Sequence, residues 1–314
     1  MGQKPFAAPG LSPRSHSPAD RRAACEPSAA DMFRVIRSAA GMSKTSLRWQ
    51  RRGRSIGVVP TMGALHEGHL SLVRAARAQN DVVIVTIFVN PLQFGPHDDF
   101  ARYPRSFARD VRLARTAGAD AVFAPSATQL YPKGFQTRVD VSELSTRWEG
   151  ASRPGHFCGV ATVVTLLAAL THPTRAYVGQ KDYQQALIIE RLIRDVKLPV
   201  GLRILPTVRE PDGLAMSSRN ADLSDAHRRQ AAVLYQALSH ARELIRAGER
   251  RAAPIIDGMR RLLSEEPDAR IDYVAAVDAR SLEPLWRLRG RVALLVAVWV
   301  GRTRLIDNLL VDVR

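Results

Sequence analysis

The residues best suited to chemistry fall in one run, Val58-Val59-Pro60-Thr61-Met62-Gly63-Ala64-Leu65-His66-Glu67-Gly68-His69. It holds two imidazoles close together with a glycine between them, so both can reach one small ligand. The residues before them, Ser55 to Pro60, are short, apolar and closed by proline, which predicts the end of a strand. The residues after them place Leu70, Leu72, Val73 and Ala76 at helical spacing with Arg74 and Arg77 outward, which predicts an amphipathic helix. The histidines therefore stand at a strand-to-helix junction. There, free backbone N–H groups and the positive end of the helix dipole favour bound phosphate. Gly68 permits close approach of a ligand to the backbone. Two imidazoles can donate hydrogen bonds to a transition state that gathers negative charge on phosphorus. Zinc is the competing chemistry for His-x-Gly-His, but no cysteine or third histidine lies nearby at ligand spacing.

Two further segments suit the same ligand. Leu214-Ala215-Met216-Ser217-Ser218-Arg219-Asn220 follows the apolar run Leu202 to Leu205 and Pro206-Thr207-Val208-Arg209-Glu210. Two hydroxyls and a guanidinium on a loop make a clamp for a polyphosphate. Tyr177-Val178-Gly179-Gln180-Lys181-Asp182-Tyr183-Gln184-Gln185 joins a β-like run to the start of a helix. The chain uses arginine almost throughout, and Lys181 is one of few lysines, with Lys4, Lys44, Lys133 and Lys197. Lysine offers a compact, movable point charge. Taken singly, each segment is most simply a solvated loop or helix start; their occurrence together and in this order points to one site.

That order resembles the nucleotidylyltransferase superfamily, which includes the class I aminoacyl-tRNA synthetases. Within it, Pro60 to His69 resembles the pantothenate synthetase family. Phe88 to Gly95, Tyr103-Pro104-Arg105, Arg153 to Val164 and Leu305-Ile306-Asp307-Asn308 extend the resemblance, which covers about Met32 to Val313. This chain departs from the family pattern at Gln180 (usually Glu), Leu166 (usually Lys) and Asp222 (usually Tyr). Loss of the lysine at 166 is expected to loosen an electrostatic contact at the rim of the site.

The resemblance implies ATP-dependent joining of (R)-pantoate to β-alanine through a pantoyl adenylate, giving pantothenate (a coenzyme A precursor), AMP and pyrophosphate. It implies that His66 and His69 contact the ATP phosphates, with His69 the best proton donor, and that Lys181 and Arg219 join them as catalytic groups. Pro60, Met62, Gly63, Gly68, Gly179, Asp182, Val208, Met216, Ser217 and Ser218 complete the expected ATP site, with Asp182 on the ribose and Val208 at the adenine. Gln93, Gln185, Thr61, Met62 and Asn90 are the expected pantoate and β-alanine site. Mg²⁺ is expected to arrive with ATP, held mainly by phosphates and water rather than by protein. A homodimer is implied. The competing readings are another His-x-Gly-His nucleotidylyltransferase and a basic nucleic-acid-binding protein.

The formal net charge of +16 invites the last of these. Arginine is scattered along helix faces, however, as at Arg228, Arg229, Arg242 and Arg246, and no nucleic-acid-binding motif accompanies it. No specific nucleic acid is expected. The apolar runs Val160 to Leu170 and Val292 to Val300 are too short to span a bilayer. Cys25 and Cys158 are too few for a disulfide framework, which fits a reducing cytoplasm. His97, His172, His227 and His240 lack motif context and read as surface or structural. His156 reads as packing at least as well as substrate contact.

Residues 1–31 are rich in Pro, Ser, Ala and Arg without periodicity and are expected to be a disordered extension. Strands are predicted at Ile56 to Val59, Val82 to Val89, Ala121 to Phe123, Ala176 to Val178 and Leu202 to Leu205. Helices are predicted at His69 to Gln79, Phe107 to Ala117, Val160 to Leu170 and Tyr183 to Asp195. This alternation predicts an α/β, Rossmann-like parallel sheet over residues 32–207, which the resemblance implies binds ATP and pantoate. Two long helices, Asp225 to Ala247 and Ala253 to Ser264, then precede strands Ile271 to Val277, Val292 to Val300 and Thr303 to Val311, the last two turned at Gly301-Arg302. Residues 208–314 are expected to form a smaller α+β lid domain.

Overall fold

The computed structural model describes residues 32–96, 98 and 100–314. The expectation for residues 1–31, and those for Cys25 and His97, lie outside the described residues. Along the chain, β1 (Arg34–Ile36), α1 (Ala39–Arg51), β2 (Ile56–Thr61), α2 (Glu67–Gln79), β3 (Val82–Ile87), α3 (Phe107–Thr116) and β4 (Ala121–Phe123) come first. Then come the short α4 (Ala127–Leu130) and α5 (Glu149–Ser152), α6 (His156–Thr171), β5 (Arg175–Gly179), α7 (Tyr183–Asp195) and β6 (Gly201–Leu205). The remainder is α8 (Asp225–Gln230), α9 (Val233–Arg246), α10 (Ala252–Ser264), β7 (Ala269–Asp278), β8 (Gly290–Val300) and β9 (Thr303–Val313).

β1 to β6 form a six-stranded sheet in the order β1-β4-β3-β2-β5-β6, with every pair parallel. Side-chain parity explains the layers. Ile56, Val58, Val82, Ile84, Ala121 and Phe123 pack on one face with Met42 and Trp49 of α1 and Val163 and Leu167 of α6. Their chain neighbours Val59, Val83, Val85 and Val122 pack on the other face with Leu72, Val73 and Ala76 of α2 and Ala114 of α3. A strand buried on both faces must be apolar at consecutive positions, which is why these strands read as continuous hydrophobic runs. The predicted α/β sheet is therefore present, with β1 and α1 added at its start.

β7, β8 and β9 form a separate antiparallel sheet. Leu234, Leu238, Ala241 and Ile245 of α9 and Ile255, Met259 and Leu263 of α10 pack with Val292, Leu294, Val296 and Val298 of β8. The helix predicted from Asp225 to Ala247 is broken: α8 ends at Gln230, and α9 begins at Val233. Ala231 and Ala232 at the break are both buried, so tertiary packing rather than helix propensity sets it. The side of this sheet away from α9 and α10 meets α7, where Tyr183 and Leu187 pack with Ala275, Val277, Ala293 and Leu295.

Candidate active site

The sheet opens where its connections change direction. From β2 the chain steps to β3 and β4 on one side, whereas β5 and β6 lie on the other. β2 and β5 pair only at Gly57↔Arg175 and Val58↔Ala176, although β2 continues to Thr61 and β5 to Gly179. The two strands thus part at their carboxyl ends, and a cavity begins there, as expected at a topological switch point. Pro60, Thr61 and Met62 from the end of β2 and Val178, Gly179, Lys181 and Asp182 from the end of β5 line it.

The first phosphate segment is held from an unexpected place. Asp110 of α3 is buried, and its carboxylate accepts hydrogen bonds from the backbone N–H groups of Ala64 and Leu65, at 2.8 Å each. These bonds fix the turn that delivers His66 to the N-cap of α2. The Nδ1 atom of His69 accepts from the His66 backbone N–H at 3.4 Å, which leaves the His69 proton on Nε2. The two rings lie 4.1 Å apart, centroid to centroid. A Cβ at Gly68 would stand 2.9 Å from His66 Cε1, so only glycine leaves the ring its room. Burial, reinforced by the Lys181 charge, lowers the His66 pKa to about 4. Burial, with His66 beside it, lowers that of His69 to about 3. At neutral pH both rings are uncharged in the free protein, so each serves as a hydrogen-bonding group rather than as an imidazolium.

The turn after β5 is tied to the second sheet. Asn308 of β9 donates from Nδ2 to the carbonyls of Gln180 and Lys181, at 2.9 Å each, and its Oδ1 accepts from Gln180 Nε2 at 3.3 Å. Lys181 Nζ lies 3.6 Å from Asp182 Oδ1. Asp182 sits deep among protein atoms yet opens to the cavity. Burial pushes its carboxyl up, but Lys181 and Arg219 outweigh that and hold it below the ordinary value. The second phosphate segment hangs from a neighbouring anchor. Arg209 binds both oxygens of buried Asp307, at 2.5 and 3.0 Å, and donates to the Gly213 carbonyl at 3.0 Å. An Arg209↔Ala215 bridge closes that loop and presents Met216, Ser217, Ser218 and Arg219 to the same cavity, with Met216 Cβ 3.8 Å from where a Cβ at Gly68 would stand.

A second group of side chains in the cavity wall is packed around Asn90 and Gln93. A Cβ at Gly159 would stand 2.2 Å from the Leu92 carbonyl, so α6 lies directly against the turn carrying Asn90 and Gln93. Buried His156 donates from Nδ1 to the Gln93 carbonyl at 2.8 Å, and its Nε2 accepts from Arg153 at 3.3 Å. Burial and the Arg153 charge lower the His156 pKa to about 4. Gln93 Nε2 lies 3.3 Å from Met62 Sδ. Val160, Val163, Val164 and Leu167 of α6, with Phe88, supply apolar lining, and Gln185 of α7 also lines the cavity.

All the sequence-predicted site residues line this cavity except Gly63. Gly63 lies behind the wall, its Cβ direction facing Asp110 Oδ2 and Ile87. Asn90 is in the wall but has no polar atom to spare: its Nδ2 donates to Gln93 Oε1 and the Gly159 carbonyl, and its Oδ1 accepts from Leu92 N and Tyr131 Oη. Thr61 is likewise engaged, donating to the Thr86 carbonyl and accepting from Gly63 N. Leu166 is partly buried, packs against the core cluster of the sheet and is not among the residues lining the cavity. Asp222 is exposed. His172 lies within 3.3 Å of Ser43 Oγ and His227 within 3.6 Å of Asp268, away from the cavity. The sequence reading missed Arg153, Tyr103 (3.3 Å from Ser218 Oγ) and Asp110, although two of these lie in motifs it had quoted.

A family model described as pantoate-beta-alanine ligase matches residues 34–310. The pantothenate synthetase of Moorella thermoacetica is 58% identical over 264 residues, covering 84% of this chain and 93% of its own. That of Heliobacterium modesticaldum is 52% identical over 281 residues, covering 90% and 100%. The crystal structure of pantothenate synthetase from Thermus thermophilus superimposes with a TM-score of 0.84 at 46% identity, covering 88% of this chain and 99% of that one. A pantoate-beta-alanine ligase from Francisella tularensis, complexed with beta-gamma ATP and beta-alanine, gives 0.73 at 33% identity, covering 89% and 97%.

Proposed function

The chain belongs to the pantoate–β-alanine ligase family, and from that premise we infer how its cavity divides the reaction between two sets of side chains. The protein is an ATP-dependent ligase that joins (R)-pantoate to β-alanine, giving pantothenate, AMP and pyrophosphate. A carboxylate is a poor acyl donor because its leaving group would be oxide. A pantoate carboxylate oxygen therefore attacks the α-phosphorus, the α–β bridging bond breaks, and pyrophosphate leaves. The β-alanine amine then attacks the acyl carbon, loses a proton, and AMP departs with the bonding pair. Positioning and charge neutralisation carry both steps without a covalent enzyme intermediate.

The observation that carries this division is the convergence of His66, His69, Lys181 and Met216–Arg219 on one cavity whose wall also holds Gln93 and Gln185. His66, His69, Lys181, Ser217, Ser218 and Arg219 bind the triphosphate. Asp182 binds the ribose, and Gly179 and Val208 contact the nucleoside through their backbones. Gln93 and Gln185 bind the pantoate oxygens, while Met62 and the α6 wall cover its apolar carbons. Asn90 and Thr61 shape the wall there instead of touching the substrate. Among the described residues no cluster of three His, Cys, Asp or Glu side chains could hold a metal ion, and Asp182 is the carboxylate of the cavity wall. That donor set fits Mg²⁺ carried in on the ATP phosphates, where it would neutralise charge on the leaving pyrophosphate.

Residues 32–207 act in this reading as the ATP- and pantoate-binding domain, and residues 208–314 as a lid whose Val208–Arg219 segment closes on the phosphates. Protection of that segment from proteolysis by ATP would support closure, and unchanged cleavage would refute it. A cytoplasmic homodimer completes the reading. Sedimentation of the purified chain tests the dimer. Among the described residues no helix is long and apolar enough to cross a membrane.

Exchange of labelled pyrophosphate into ATP tests the chemistry. It should require pantoate and proceed without β-alanine. Exchange that ignores pantoate and responds to another acid would overturn the pantoate assignment of Gln93 and Gln185.

A further inference from the structure

We propose that Tyr131 is a specificity-determining positioning residue: through Asn90 it holds the Gln93 side chain with its N–H groups, not its oxygen, toward the acid-binding end of the cavity. The inference rests on the reading of Gln93 as a pantoate ligand.

The orientation follows from groups that can act in only one way. The backbone N–H of Leu92 can only donate, and it meets Asn90 Oδ1 at 3.2 Å. The Gly159 carbonyl can only accept, and it meets Asn90 Nδ2 at 3.0 Å. These two contacts fix which end of the Asn90 amide is nitrogen. The second N–H of Nδ2 reaches Gln93 at 3.1 Å, so the Gln93 atom there must be Oε1. Gln93 Nε2 is then turned the other way, beside Met62 Sδ in the cavity wall.

The remaining lone pair of Asn90 Oδ1 takes the Tyr131 hydroxyl at 2.7 Å, the shortest contact of the set. Tyr131 is well placed to hold it. The residue follows α4, and its ring is packed against Phe88 and Phe135 with centroids 6.0 and 5.1 Å away. Burial pushes its phenol above the ordinary value, so the hydroxyl remains a donor across the working pH range. Asn90 itself is almost fully buried, so loss of the phenol leaves Oδ1 short of a donor with no bulk water to replace it. The amide is then held by Leu92 and Gly159 alone, and its grip on Gln93 Oε1, and with it the fixed polarity of Gln93, loosens. A Gln93 held N–H inward selects ligands that place an acceptor oxygen there and rejects those that place a donor.

Tyr131→Phe keeps the ring and removes only the hydroxyl. Steady-state kinetics should show a KM for pantoate raised roughly tenfold, the size of one buried hydrogen bond, with the KM for ATP within about twofold of wild type. The variant should also lose discrimination against a pantoate analogue carrying an amino group in place of a hydroxyl. Gln93→Ala should raise the pantoate KM by itself, and adding Tyr131→Phe to it should change little more, because the phenol acts through that side chain. A thermal melt close to wild type separates positioning from collapse of the fold. An unchanged pantoate KM in Tyr131→Phe, an equal rise in both KM values, or full additivity with Gln93→Ala would each overturn the inference. An unchanged pantoate KM in Gln93→Ala would overturn the reading of Gln93 as well.

Discussion

The side-chain amide of Asn308 donates to the main-chain carbonyl of Lys181 at 2.9 Å, so a residue of the last strand holds the turn that carries the cavity's lysine. The same amide holds the Gln180 carbonyl. Asn308 is buried, and its neighbour Asp307 is locked to Arg209, so this corner of β9 braces the lysine turn and the Met216–Arg219 loop together. Asn308→Ala should leave two carbonyls without donors, costing about 1–3 kcal/mol of stability. It should also raise the KM for ATP more than that for pantoate. Parallel melts and substrate titrations check this, and an equal rise for both substrates would contradict the assigned role.

Gln180 stands where the resembled family usually has glutamate, and its partner explains what the amide contributes here. Asn308 must turn its Oδ1 toward residue 180 because its Nδ2 serves two carbonyls. Gln180 can donate to that oxygen; an ionised glutamate cannot. Gln180→Glu should therefore weaken ATP binding by about 1 kcal/mol at neutral pH. The defect should shrink at acidic pH, where the carboxyl regains a proton. A pH-independent defect, measured as ATP affinity of variant against wild type, would exclude this hydrogen bond as the cause.

Asp110 acts on the histidines through the Ala64–Leu65 backbone. Asp110→Ala removes the acceptor for one buried and one part-buried N–H group, and hydrogen bonds to a charged acceptor are worth more than neutral ones. A loss of about 2–4 kcal/mol in stability is expected. Pyrophosphate exchange should fall further than the decrease in folded protein accounts for. Exchange that tracks the folded fraction would assign Asp110 to stability alone.

His66 and His69 also predict an acid dependence of stability. Their folded pKa values of about 4 and about 3 lie below the ordinary histidine value of 6.5, so below pH 6.5 the unfolded chain binds more protons than the folded one. Their contribution is complete above pH 6.5 and is lost as pH falls toward 4. Carboxylates such as Asp182, whose pKa is lowered, lose their own contribution only below the ordinary carboxylate value. The window from pH 6.5 to about 4.5 therefore reports chiefly on buried histidines, against the opposing contribution of Asp307, whose carboxyl burial pushes up. His69→Gln should flatten the fall in melting temperature there, and an undiminished slope would show that the ring is solvated.

Much of the fold was legible because burial on both faces writes continuous apolar runs. The predicted Val82 to Val89 contains β3, and Ala121 to Phe123 matches β4. β1 escaped notice because three residues at a sheet edge carry no measurable period. The cavity-lining segments around His66, Lys181 and Met216 were legible because they are local: a strand end, a helix start and a loop. Asp110 was not, since between Arg109 and Val111 on a helix it reads as one more surface carboxylate, and only the approach of the loop at Ala64 and Leu65 gives it work. Asn90 was legible as a site residue but not as a saturated one. Its partners Tyr131 and Gly159 lie 41 and 69 residues away, and no spacing rule reports them.

Lys181 gives the sharpest test of the division of labour. Its side chain is mostly enclosed, its ammonium lies 3.6 Å from Asp182 Oδ1, and its carbonyl is held by Asn308. A charge so placed needs no reorganisation to meet a phosphate, which is the condition under which one donor is worth most. Lys181→Ala should cost adenylation about 2–4 kcal/mol of transition-state stabilisation. The fold should survive, because the Asn308 bonds run to the backbone and do not involve the ammonium. His69→Ala should show a comparable defect. Both should spare the attack of β-alanine on preformed pantoyl adenylate, since no pyrophosphate leaves in that step. Single-turnover measurement of each half-reaction decides the matter. Near-wild-type adenylation by Lys181→Ala would remove the residue from the catalytic set, and an equal loss in both half-reactions would make it a structural brace for the turn.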